Sequence, residues 1–131
     1  MKISLVHIWN INQILMKADS DRGKGRHFIN SNVTACAEHV KRGYDWLQSY
    51  AKEYGFGYVP GGRYDMSGNA PAMEAFEKFL TEIECDFNPN QMSPDIAHDI
   101  DGITLYEESL LAPLFVGFSV SDQGEGEEAH A

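Results

Sequence analysis

Between residues 95 and 101 the chain reads Asp95-Ile96-Ala97-His98-Asp99-Ile100-Asp101, a cluster of oxygen and nitrogen donors. In a helix His98 lies one turn from Asp95, and in an extended chain Asp99 and Asp101 share a face, so either conformation sets two donors side by side. Two are too few for a catalytic metal, which takes three protein ligands and an open position; the rest would have to come from His7, His27 or Glu107. A helix start carrying carboxylates that favour its dipole accounts for the same residues. No metal or other cofactor is therefore expected.

A second cluster, Arg22-Gly23-Lys24-Gly25-Arg26-His27, interleaves cations with glycines. Exposed backbone N–H groups and side-chain charge could converge there on phosphate, with Arg22, Lys24 and Arg26 as the binding set and Lys41, Arg42 and Arg63 extending it. The Gly-x-x-x-x-Gly-Lys-Ser/Thr order of a nucleotide-binding loop is missing, and a solvated loop explains the segment equally well. Nucleophilic candidates are thin. Ser67 in Met66-Ser67-Gly68 is no nucleophile elbow, and Cys36 with His39 on one helical face reads as a small apolar residue in a buried stripe. No catalytic residue is assigned.

The distribution of charge is the least ordinary feature. The chain has 131 residues and a formal net charge of -10, and its last basic side chain is Lys78. Everything after Lys78 is acidic or neutral, so the two halves present opposite fields. A small acidic protein that blocks or neutralises a basic, nucleic-acid-handling protein partner would use this feature, in an inhibitor or immunity-type role that mimics phosphate with carboxylate. Its binding set is Asp95, Asp99, Asp101, Glu107 and Glu108, joined by Trp46 and Tyr50, which fall off the main stripe of their helix and either widen its buried face or mark a contact surface. Nucleic acid itself would be repelled from that face. The alternatives are a small phosphate- or nucleotide-binding or metal-dependent enzyme that uses segments 22–27 and 95–101, and a structural or assembly subunit that self-associates through its aromatic helix and an apolar strand at 114–120.

These side chains need elements to hold them. The run Ile3 to Trp9 is apolar on both alternating faces and reads as a buried strand, after which Asn10 caps a short helix to Lys17 or Ala18. A polar loop then covers 19–27. Val33, Ala37, Val40, Tyr44, Leu47, Ala51 and Tyr54 recur at steps of four and three, predicting a helix over 33–54 with Gly55 as its left-handed cap. A short strand follows at 56–59, and the turn formers through Gly68 predict irregular chain. Asn69 and Pro71 begin a second helix that runs to about Cys85. Ser93-Pro94-Asp95 starts one or two helical turns, Thr104 and Glu107 have the spacing of a capping box, and 114–120 reads as a strand pairing with the first.

The expected fold is a small α+β domain over 1–120, with two main amphipathic helices packed on a short sheet and a disordered acidic tail over 121–131. The N-terminal run makes a poor signal peptide, and no apolar stretch approaches the roughly 20 residues of a membrane span. Cys36 and Cys85, both read as helical, lack a Cys-x-x-Cys spacing and suit free thiols in a reducing cytoplasm.

Overall fold

A computed structural model describes residues 1–60 and 63–118. The chain is α+β, with helices dominating two small antiparallel sheets. Strand β1 (Lys2–Ser4) leads directly into helix α1 (Leu5–Lys17), followed by the long helix α2 (Gly23–Tyr54), a hairpin of β2 (Gly57–Val59) and β3 (Arg63–Asp65), and helix α3 (Ala70–Glu82). Strand β4 (Glu84–Asp86), a 3-10 segment (Pro94–Asp99), the short helix α4 (Leu105–Leu110) and a last 3-10 turn (Ala112–Leu114) complete it.

The N-terminal run is mostly helix, not strand. Leu5, Ile8, Ile11, Ile14 and Leu15 are all buried, and these intervals follow the helical period, which a short apolar run hides when both faces are apolar. Only Ile3 and its neighbours remain extended, pairing with β4 in the register Lys2 to Asp86, Ile3 to Cys85 and Ser4 to Glu84. Phe87 and Met1 extend the ladder, and the Leu5 N–H donates to Ile83 O. Cys85 thus sits in a strand, and the second helix stops three residues short of it because β1 claims the backbone from Glu84 onward. Asn10 lies in mid-helix and caps nothing.

Helix α2 starts at Gly23, ten residues before the expected Val33, and takes in the glycine-rich segment read as loop. Its buried line runs through Phe28, Ile29, Asn32, Cys36, His39, Val40, Gly43 and Leu47, rotated from the expected stripe so that Ala37 and Tyr44 face solvent. Gly55 caps it in the left-handed region with φ 78°. The Asn69 side chain accepts from the Ala72 N–H at 3.2 Å and caps α3 with Pro71 in the first turn, as expected. Segment 63–65, expected to be irregular, is a strand because Tyr58 and Tyr64 pair across the hairpin with ring centroids 4.9 Å apart. No strand forms over 114–118. Pro113 sits in a 3-10 turn there, and Phe115 makes a single parallel bridge to Met92, so the partner of β1 is β4 instead. Residues 119–131, which include the expected acidic tail, lie outside the described residues.

Helices α1, α2 and α3 share one apolar core with Phe87, Ile96, Ile100, Leu111 and Leu114. The crossing of α1 and α2 is close at Gly43, where an added Cβ would come within 2.4 Å of the Trp9 ring. That indole is braced by Tyr44 and Phe76, each with its centroid 5.1 Å away, so it has little room to retreat. Gly43→Ala gains about 1 kcal/mol of helix propensity but overpacks the crossing at a cost of about 1–3 kcal/mol, which prevails. We expect a lower urea midpoint for G43A and none of this loss for G23A, where the added methyl would meet nothing within 4 Å beyond its own turn of helix. Among the described residues no helix is long and apolar enough to cross a membrane.

Candidate functional site

Loop 18–22 joins α1 to α2, and the acidic stretch 95–108 folds against it. Asp19 and Asp101 exchange backbone hydrogen bonds at 2.9 and 2.7 Å, and the Ser20 hydroxyl donates to Asp99 O at 2.5 Å. Gly25 makes this seam possible. A Cβ there would lie 2.1 Å from Ser20 Oγ and 2.9 Å from the Asp99 carbonyl oxygen, so the residue serves packing. The two chemistry-bearing clusters of the sequence therefore do meet, but as a closed seam.

At the seam opposite charges neutralise one another. Arg22 Nε lies 3.4 Å from Asp99 Oδ1, Arg26 pairs with Asp19, and Lys17 Nζ sits 2.6 Å from the Glu107 carboxylate. Of Arg22, Lys24 and Arg26, only Lys24 has no carboxylate partner among the described residues, and of the cations extending that set Lys41 pairs with Asp45 while Arg42 and Arg63 have no such partner there. No three His, Cys, Asp or Glu side chains among the described residues converge as a metal would need. Cys36 is wholly buried, and desolvation pushes its thiol up to about 12, away from the thiolate a nucleophile requires. Its helical neighbour His39 packs edge-on against Phe87 with Nε2 3.4 Å from the Glu38 carboxylate. Ser67 sits in the turn after β3, its N–H bound to Asp65 Oδ1.

The expected partner-binding residues divide. Glu107 carries the predicted capping box, accepting from the Thr104 N–H while its own N–H is bound by Thr104 Oγ1. The Lys17 ammonium and the Thr104 N–H hold its carboxyl below the ordinary range. Glu107 and Asp99 are thus structural, and a variant that neutralises them would loosen the seam as well as any interface. Asp95, Asp101 and Glu108 have no ion-pair partner among the described residues, and Asp95 and Asp101 are exposed.

Trp46 is half-buried, stacked among Tyr50, Tyr54, Phe76 and Phe79, and with exposed Tyr50 it lines a concavity of about 480 Å³ between α2 and α3. This pair is not brought to the acids. Asp99 is held at the first turn of α2 by Arg22, and Trp46 lies roughly 36 Å further along that helix at 1.5 Å per residue. A standard interface of about 800 Å² per partner does not reach comfortably across that distance.

Leu105 and Tyr106 were missed by the sequence reading. They are 86% and 72% exposed on the first turn of α4, directly between Asp101 and Glu108. The capping box was a usable signal, since it placed both residues in a first turn that ordinarily favours acids over large apolar groups. The turn is held at both ends, by Lys17 to Glu107 and by the His7 ring 3.1 Å from Leu110 O. Comparison with family models, curated proteins and solved structures finds no match. Function has to be argued from the surface itself.

Proposed function

We propose that the chain is a small acidic binding protein that blocks a basic, nucleic-acid-handling protein partner, docking through segment 95–108. The observation that carries this reading is the exposure of Leu105 and Tyr106 on a rigidly held turn flanked by unpaired carboxylates. Protein interfaces concentrate their energy in a few central apolar or aromatic anchors, while surrounding charge sets on-rate and partner choice. Here Leu105 and Tyr106 are the anchors, and Asp95, Asp101 and Glu108 are the rim. The net charge of -10 steers a cationic partner and repels nucleic acid from this face. The protein acts in the cytoplasm, where Cys36 and Cys85 remain thiols.

Affinity capture from a lysate of the source organism, washed at about physiological and at about 1 M salt, tests the reading because the Debye length falls from roughly 8 to 3 Å. The expected result is one basic protein held at low salt, lost at high salt, and lost by both the Asp95→Asn, Asp101→Asn, Glu108→Gln triple variant and the Leu105→Ala, Tyr106→Ala double variant. Both variants leave the Lys17, Arg22 and Arg26 pairs intact and should keep the wild-type urea midpoint. Undiminished capture by both would overturn the assignment.

A further inference from the structure

Between α1, α3 and the end of the β2–β3 hairpin lies a cavity of about 310 Å³, at the small end of ligand sites and of a size for one side chain or fragment. Trp9, Met66, Phe76 and Leu80 supply apolar wall, with Asn10 and Glu77 as its polar residues. Glu77 is exposed and has no ion-pair partner among the described residues, whereas Asp19, Asp45, Glu82, Asp99 and Glu107 are all committed to cations of this chain. Among the described residues no lysine, arginine or histidine lines the cavity. The larger concavity beside Trp46 differs on both counts, since Arg42 lines it and its one carboxylate, Asp45, is 3.0 Å from Lys41.

We propose that this cavity is a receptor for an arginine side chain of a polypeptide partner. The guanidinium would pair with the Glu77 carboxylate and Asn10 amide oxygen, and its methylene stem would lie against Trp9 and the two methionines, Met66 and Met73. An indole favours a nearby cation through its ring quadrupole, and a planar guanidinium matches a carboxylate in a way a lysine ammonium does not. The cavity and α4 both lie against α1. His7, which holds Leu110, and Asn10 lie three residues apart on α1 and so share a helical face. The inference names a contact for the basic partner proposed above and rests on that reading for its biological meaning, but the pocket can be tested without the partner.

The experiment is a titration of the full chain with N-acetyl-arginine amide, followed by NMR of the Trp9 indole N–H and the Met66 and Met73 methyls, with the Trp46 indole as internal control. N-acetyl-norleucine amide, which has a stem and no charge, and the lysine analogue are run beside it. We expect saturable shifts confined to Trp9, Met66 and Met73 with millimolar affinity, in line with roughly 0.3 kcal/mol per heavy atom for a fragment of this size. Binding should be about tenfold weaker in Glu77→Gln, a change at an exposed side chain that leaves the fold intact, and weaker for lysine. Equal affinity for Glu77→Gln, equal shifts with norleucine, or no saturable shift would overturn the assignment. Failed partner capture alongside specific arginine binding would instead remove the partner reading and leave the pocket standing.

Discussion

Replacing Asn32 by aspartate should lower the stability of this protein by about 3–5 kcal/mol near neutral pH, a large share of the roughly 5–15 kcal/mol that holds a domain folded. Asn32 is fully buried on α2. Its Nδ2 donates to Phe28 O at 2.9 Å and to Asn90 O at 3.0 Å, while its Oδ1 accepts from the Asn90 N–H at 2.9 Å. One side chain thereby fastens the loop after β4 to the long helix. An ionised carboxylate of the same shape keeps the acceptor, loses both donors, and faces two carbonyl oxygens with a charge removed from water. Burial raises the pKa of such a carboxyl above its unfolded value, so its neutral form is favoured in the fold and the penalty grows as pH rises through that value. Urea midpoints measured at about pH 7 and about pH 4.5, near the ordinary carboxylate range, should show N32D far below wild type at the higher pH and closer to it at the lower. Equal midpoints at both would mean that Asn32 is not the clasp described. Asn32 also opens an Asn-x-Thr triplet of the kind that accepts N-glycosylation, Asn32-Val33-Thr34, and the same burial closes it to that modification in the folded chain.

What could be read from the sequence was what local chemistry decides. Asn69 before Pro71, Ser93 before Pro94, Thr104 three residues before Glu107 and Gly55 at the end of α2 each act within one turn, and each performs its expected role. The failures lie where distant chain decides. Ile3 is extended only because Cys85 stands opposite it, and the helical interval from Leu5 to Leu15 was obscured by apolar neighbours on every side. Gly23 and Gly25 looked like loop residues, yet Gly25 belongs to a helix that tolerates it because Ser20 and the Asp99 carbonyl occupy the space a methyl would need. The site shows the same division. Residue types marked segment 95–108 as unusual, but they did not separate Asp99 and Glu107, which the fold spends on Arg22 and Lys17, from Asp95, Asp101 and Glu108. Nor did periodicity show that α2 sets Trp46 far from the acids.

Cys36 gives the other large effect, and it appears only in alkali. Its side chain is fully buried on α2, and desolvation pushes the thiol from 9.0 to about 12. The folded-state value lies above the unfolded one, so the contribution of the protonated thiol is whole below about pH 9 and is lost as pH rises through the folded value. Across that window the unfolded chain releases a proton that the folded chain retains. Each pH unit therefore removes about 1.4 kcal/mol, or roughly 4 kcal/mol by about pH 12. Every other group of the chain is common to Cys36→Ala, so the difference between the two proteins isolates the one thiol. At neutral pH the alanine variant should be the less stable, because it leaves a small void in the core. As pH climbs above about 9 the gap should close and then reverse, with wild type falling more steeply by one proton's worth. Parallel stability curves for the two proteins would show that the thiol is not desolvated in the fold. The same energetics fix its reactivity: in neutral solution, alkylation of Cys36 should follow the unfolding of α2 from the core rather than attack on the native protein.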